Sequence, residues 1–286
     1  MADVEFARMR VAALTMSYNE PVWAQVWARH YAGQVGAENC FLMDHGSDDG
    51  SADGLKINVE RLARSALDED VRAAQVSMRV AALLKTYDAV VHTDVDELVI
   101  ADPRRFSNLR SFAANHSAEV VTAVGLDVQH LAAEEDALDL GRPIGRQRGW
   151  VRFSAAMCKP VFVRRAVHWV PGFHLCDAAV QTGGLFLFHL RYADLELGLR
   201  RLERTRSQAF ASADIALHQR VSGRNFEDMM ASIAQLPRVA VPFDTEAGAM
   251  ADWVSAVVRA QHDGSAWLSM SGDQLWSLPQ SFTQAF

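Results

Sequence analysis

Three acids within four positions, Asp94, Asp96 and Glu97, sit inside an apolar, β-branched run over residues 87–100. Alternate residues of an extended chain point the same way, so the carboxylates of Asp94 and Asp96 are expected to face one ligand. Two hard oxygen donors at the carboxyl end of a buried strand suit Mg2+ or Mn2+, an ion that shares its shell with phosphate oxygens. A bare Asp-x-Asp equally describes a solvated strand end or a turn, so the flanks carry the argument. Asp44 opens a polar, Gly-bearing loop over residues 44–51, where capping or turn formation is the competing role. His189 lies in an apolar run over 183–192, a place where a histidine is more often a satisfied core residue than a ligand.

The elements that position these groups alternate in type. Residues 11–16 form a continuous apolar run, the pattern of a strand buried on both faces. Pro21 is placed to open a helix in which Val22, Trp23, Val26, Trp27 and Tyr31 recur at helical spacing, with Gly33 and Gly36 as stop signals. Residues 39–43 read as a second buried strand, 55–70 as a variable connection, and 71–84 as a helix whose stripe is Val76, Val80, Leu83 and Leu84. Arg79 falls off that stripe, facing either the ligand edge or water. Strand, loop, helix, strand, loop begins a mostly parallel α/β sheet, in which ligands gather beyond the carboxyl ends of the strands. Loops 17–21 and 44–51 and the acid triplet then share one edge.

Farther along, residues 120–128 read as a strand that carries Asp127, and 158–165 as a short one. The loop 132–148 between them is placed to border an acceptor site, with Glu134, Glu135 and Asp136 as a solvated turn. Residues 167–177 gather Trp169, Phe173, His168, His174 and Asp177; their rings are either a platform for sugar faces or core. One long helix is expected over 193–221, with Arg200, Arg201, Arg204 and Arg206 solvated or helping with phosphate. Shorter helices are expected over 226–236 and 248–261, so the C-terminal region is helical. Trp253, Trp267, Trp276, Leu278 and Phe282 are too many large apolar groups for water; this tail folds back on the body or makes a homodimer contact.

Bulk properties exclude several classes. With 286 residues and 50% hydrophobic content the chain can bury a large core. Its net charge of −7 lacks the basic footprint of a nucleic-acid binder. Cys40, Cys158 and Cys176 are odd in number and far apart, as reduced thiols are rather than a disulfide frame or a zinc site. The first ten residues hold acids and no apolar core of signal-peptide length, and no uncharged apolar run reaches the ~18 residues of a membrane span. The expectation is a cytoplasmic protein without a membrane span.

Taken in order, Asn19-Glu20 after the first strand, Asp44-His45-Gly46-Ser47-Asp48-Asp49-Gly50-Ser51 after the second, then Arg79 and Asp94-Val95-Asp96-Glu97 resemble the glycosyltransferase family 2 pattern on a GT-A fold. The likeness covers roughly the first 125 residues and is closest to the bacterial family 2-like branch, whose strand ends in Asp-x-Asp-Glu. It implies that Tyr18, Asn19, Glu20 and Asp44 hold the nucleoside, with Arg79 and Arg191 also on the donor. Asp94 would lie near the ribose and metal, and Asp96 would ligate the metal that bridges the diphosphate. By the same resemblance His189, ahead of an Arg-rich helix, completes the metal shell. The family loop often reads Asp-Asp-Gly-Ser; His45 replaces the second acid here, which leaves the base contact open.

The resemblance implies a GT-A-like catalytic domain over 1–195, its nucleotide half about 1–100 and its acceptor half about 101–195, with 196–286 a helical extension packed on it. The activity implied is an inverting, metal-dependent transfer from a nucleoside-diphosphate sugar to a hydroxyl of a saccharide or lipid-linked glycan acceptor. A carboxylate must take the hydroxyl's proton. Asp177, between the aromatic segment and the His189 run, is the candidate base, with Asp127 and His174 as rivals. Two other readings compete: a sugar-nucleotide binder of the same fold without catalysis, and an Asp-x-Asp phosphohydrolase. The second would want its acid pair on the first strand.

Overall fold

Strand β1 (Val11–Ser17) is buried along its whole length, and its alternate residues join two different cores. Val11 and Ala13 pack into the larger one, Ala12, Leu14 and Met16 into the smaller. A strand read this way needs a helix on each face of its sheet, and both are present. Helix α1 (Trp23–Val35) sets Trp23, Trp27 and Tyr31 into the first core. After β2 (Cys40–Asp44) and β3 (Asn58–Arg61), helix α2 (Glu69–Leu83) sets Ala73, Val76, Val80 and Leu83 into the second. These details come from a computed structural model, which describes residues 9–212, 221–263 and 267–286.

The chain continues through β4 (Ala89–His92), β5 (Glu97–Ala101), α3 (Leu109–Asn115), β6 (Val120–Gln129), β7 (Trp150–Phe153), β8 (Pro160–Val163) and β9 (Gln181–His189). Helices α4 (Leu195–Ser207) and α5 (Gly223–Ala234), strand β10 (Arg238–Val239), helix α6 (Gly248–Asp263) and strand β11 (Leu275–Ser277) complete it. Among the described residues this is an α/β fold on one mixed, 11-stranded sheet, ordered β10-β11-β7-β6-β8-β4-β1-β2-β3, with β9 on β6 and β5 on β9. The parallel order expected from the first half holds across β3-β2-β1-β4, and the antiparallel pairs lie in the second half. The chain runs outward from β1 to β3 and then crosses to β4 on the other flank of β1. That reversal opens a crevice at the carboxyl ends of β1 and β4, where α/β sheets bind ligands.

Three expectations are corrected. The run 87–100 is not one strand: β4 stops at His92 and β5 starts at Glu97, because β5 leaves β4's line to pair antiparallel with β9, Glu97 opposite His189. Asp94 and Asp96 therefore sit in a turn and do not share a strand face. The helix expected over 193–221 stops at Ser207, where Gln208 is extended; its residues 213–220 lie outside the described ones. Of the two roles open to them, Trp169 and Phe173 take the core, 5% and 2% exposed. Loop 132–148 contributes nothing to the cleft described below: Glu134 pairs with Arg238, while Glu135 turns inward to accept the Leu131 and Gly149 amides.

The aromatic tail folds back. Trp276 and Phe282 are 2% and 0% exposed, and Trp276 sits in β11, hydrogen-bonded to β7. Those rings are covered by the chain itself. Cys40 and Cys158 are buried free thiols, and Cys176 is a half-buried one. No helix among the described residues is long and apolar enough to cross a membrane.

Gly125 is the tightest point on β6. A Cβ there would land on the Met157 carbonyl carbon and within 2.5 Å of the Ser154 oxygen. Backbone cannot retreat as a side-chain tip can, so Gly125→Ala is expected to cost roughly 2 kcal/mol or more in urea unfolding. Asp127 lies two residues on, and the same strain would disturb its setting.

Candidate active site

The crevice at the carboxyl ends of β1 and β4 widens into a cleft of about 630 Å3, walled by the end of β1, the turn after β4, the N-terminal turn of α2, the residues just before β8, the end of β9 and one face of α4. Of the sequence candidates, Tyr18, Glu20, Asp94, Asp96, His189 and Arg191 line it. Asn19 sits at its rim, with φ of 50°. Its side chain donates to Asp48 (2.7 Å) and accepts the Asp48 amide (3.0 Å), which ties loop 17–21 to loop 44–51.

Three candidates lie elsewhere. Asp44 is fully buried beside the cleft: one oxygen accepts the Ser47 amide (3.0 Å) and the other Arg61 Nη1 (2.7 Å), which is the turn-forming role. Arg79 pairs with Glu60 of β3 (3.0 Å). A helix between parallel strands runs opposite to them, so only its first turn reaches the ligand edge; Arg79 is two turns, about 10 Å, too far along. Arg72, seven residues earlier on the same face, occupies the place expected for it. Asp177 is half exposed on the outer surface, paired with His168 (2.9 Å), and does not line the cleft. Its rivals Asp127 and His174 do line it.

The acids divide between two sets of cations. Asp94 meets Arg72 and, at 2.8 Å, Lys159 Nζ. Lys159 also donates to Glu97 at 2.6 Å. Burial alone would raise the Asp94 carboxyl, but Lys159 and Arg72 outweigh it and hold the group well below the usual range. For Glu97 burial prevails over Lys159, with Asp94 adding to the rise. Lys159, 4% exposed, is thus the counter-charge of the buried Glu97 and the partly exposed Asp94. Lys159→Met would leave both without their ammonium partner, and a loss of about 3–5 kcal/mol is expected in urea unfolding. A loss under about 1 kcal/mol would mean the acids find other partners.

Asp96 belongs to the second set. One of its oxygens meets both Arg201 and His189 Nε2, the latter at 3.2 Å. His189 Nδ1 in turn lies 2.6 Å from Asp127. Burial opposes a charge on this ring, but its hydrogen bonds to Asp127 and Asp96 outweigh burial and raise its pKa to about 9. Burial likewise opposes the Asp96 anion and is outweighed by Arg201 and His189. Arg201 also donates to Glu20 (2.6 Å), as does Arg204 (3.0 Å), so α4 reaches across the cleft to loop 17–21.

Among the described residues no three or more His, Cys, Asp or Glu side chains converge as ligands. Asp94, turned to Arg72 and Lys159, stands apart from the pair Asp96 and His189. The pair is joined by a hydrogen bond of 3.2 Å; adjacent ligands of an octahedral shell of about 2.1 Å radius lie about 3 Å apart, so an ion would take the place of the Nε2 proton. A carboxylate on the far nitrogen of the histidine is the usual support of a metal-bound ring. Two protein ligands with phosphate oxygens and water for the rest is a Mg2+-type arrangement.

Sequence reasoning missed Arg72, Lys159 and Arg64. Lys159 had a signal, a charged side chain entering the buried run of β8, which requires a buried acid opposite. Arg64 had none: it comes from the connection after β3, stacks 3.5 Å from the Tyr18 ring centroid and lies 3.0 Å from His45 Nδ1.

No family model and no curated protein matches the chain. Partial likenesses exist among solved structures. One is a mannosyltransferase from Pyrobaculum calidifontis in complex with GDP-Man and Mn2+ (18% identity, 41% of this chain, 36% of that one, TM-score 0.29). Another is a mycobacterial protein (14%, 44% of each, TM-score 0.32). A third is a cytidylyltransferase from Leptospira borgpetersenii (13%, 41% of this chain, 54% of that one, TM-score 0.28). The chain spans well under two thirds of each, and likenesses of this extent leave the site to be read from its own residues.

Proposed function

We propose that the cleft binds a nucleoside-diphosphate sugar together with Mn2+ or Mg2+ and transfers the sugar, with inversion, to an acceptor hydroxyl. The observation that carries this reading is the pair Asp96 and His189, supported by Asp127, at the switch point of the sheet. Charge supports it too. Six carboxylates (Glu20, Glu69, Asp94, Asp96, Glu97 and Asp127) face five permanent cations in the cleft. A protonated His189 makes the count even, so the cleft offers a diphosphate, with its two or three negative charges, no net attraction without a further cation.

In this reading Asp96 and His189 hold the ion, and Asp127 orients the ring. The ion supplies charge neutralisation at the leaving phosphate, so no strong acid is needed there. Tyr18, with Arg64 on its face, and Asn19 border the nucleoside, and Arg191 lies at the donor end. Arg72 and Lys159 keep Asp94 and Glu97 ionically paired beside the ribose. Asp127 is the group we assign to take the acceptor's proton. Each of the other cleft carboxylates meets a guanidinium or ammonium, whereas Asp127 meets the His189 imidazole, and an ion on His189 Nε2 would leave that ring neutral. The first hundred residues then form the nucleotide half, and residues 101–195 the acceptor half, with α4 of the C-terminal extension closing over both.

Turnover of labelled UDP-, GDP- and dTDP-sugars with Mn2+, read as release of nucleoside diphosphate, tests the reading. Release of inorganic phosphate from small phosphoesters without an acceptor would favour a phosphohydrolase instead. The double pairing of Asp94 with Arg72 and Lys159 argues against that, since a nucleophile so neutralised attacks poorly.

A further inference from the structure

Asp96 is met by Arg201 on the same oxygen that meets His189. A guanidinium therefore stands where the proposed ion would share that carboxylate. We infer that Arg201 is a displaceable phosphate ligand: it rests on Asp96 and Glu20 before the donor arrives, and swings to the diphosphate when a divalent cation takes Asp96. This rests on the reading of the cleft given above.

Three features single out Arg201. First, its departure strands no acid. Glu20 is shared with Arg204, whose Nη2 lies 3.0 Å from the second oxygen, so that carboxylate stays paired. Asp96 passes to the incoming ion. Lys159 lacks this freedom, since withdrawing it would strand Glu97, which is 1% exposed. An unpaired buried carboxylate is costly enough to forbid such a move.

Second, the side chain can move while its helix does not. Helix α4 is capped by Asp194, which accepts the Leu197 amide at 3.0 Å. The fully buried Arg148 holds the preceding Ala193 carbonyl (2.5 Å) and Asp194 (3.4 Å). Phe226 of α5 packs against Gly198. Side-chain rotation alone is then the hinge. Third, the Arg201 side chain is 21% exposed into the cleft, against 5% for Lys159, and a guanidinium fork matches phosphate oxygens in pairs.

The test titrates Mn2+ alone by the loss of its free electron-paramagnetic-resonance signal, and then GDP and UDP at saturating Mn2+ by calorimetry. Arg201→Met is expected to bind Mn2+ alone about tenfold more tightly than the unaltered chain, because the guanidinium no longer contests Asp96. It is expected to bind the nucleoside diphosphate about tenfold more weakly. Arg204→Met, which removes the same charge without touching Asp96, should not tighten Mn2+. Arg201→Lys, the milder variant should Arg201→Met fail to fold, should shift both constants in the same directions by less. If Arg201→Met binds Mn2+ no more tightly, or Arg204→Met tightens it equally, displacement is wrong while the donor reading stands. If the unaltered chain binds neither Mn2+ nor any nucleoside diphosphate, both fall together.

Discussion

Asp127→Asn is expected to cut sugar transfer by about 1,000-fold while donor affinity stays within about tenfold of the unaltered chain. The amide keeps an oxygen for His189 Nδ1, now 2.6 Å from the carboxylate, so the ring stays oriented. What it loses is the ability to accept a proton. Product formation measured beside Mn2+–nucleotide affinity separates the two duties. His174→Ala is the comparison, because His174 lines the same cleft and its Nδ1 is bound to the Ala156 carbonyl (2.7 Å). Activity retained in Asp127→Asn and lost in His174→Ala would move the base to the histidine.

Asp96→Asn is expected to lower Mn2+-dependent nucleotide affinity by at least about 100-fold, the larger effect on binding. The substitution preserves shape, and Arg201 keeps Glu20, so the melting temperature should fall by only a few degrees. Calorimetry with GDP and UDP beside a thermal melt reads both quantities. A large drop in stability with affinity intact would make Asp96 a structural acid.

Much of the nucleotide side was legible because it is built from buried parallel strands. Val11 to Met16 and Cys40 to Met43 are continuous apolar runs that only a covered sheet accommodates, and the helices between them follow the 3.6-residue repeat. Their order alone placed loop 17–21 and the acid triplet at one edge. The remaining elements had weaker signals. β3 reads Asn-Val-Glu-Arg at a sheet edge, mostly exposed, and looks like a connection. β10 and β11 are two and three residues long, too short for any periodicity.

Site geometry was less legible than the fold for a specific reason. Which acid meets which cation depends on where β4 stops, and the break between His92 and Glu97 is decided by β5 pairing with β9 ninety residues on. A local pattern cannot carry that. Arg79 was mistaken for Arg72 because both lie on one face of α2, and direction along a helix is not a periodicity. Asp177 matched by sequence order, yet the turn from Val170 to Cys176 returns it to His168 on the outer surface. Arg201 and Arg204 stand within a basic stretch for which composition leaves solvent and phosphate both open.

The central claim is that a divalent cation and a nucleoside diphosphate bind together at the carboxyl ends of β1 and β4. A thermal-shift series with GDP, UDP and dTDP, each with and without Mn2+, tests it most directly. At a ligand concentration 100 times Kd the gain is about 2.7 kcal/mol, or roughly 5 °C for a chain of this size. One nucleotide should give that shift with Mn2+ and little without it. An equal shift in chelator, or none with any nucleotide, would contradict the account.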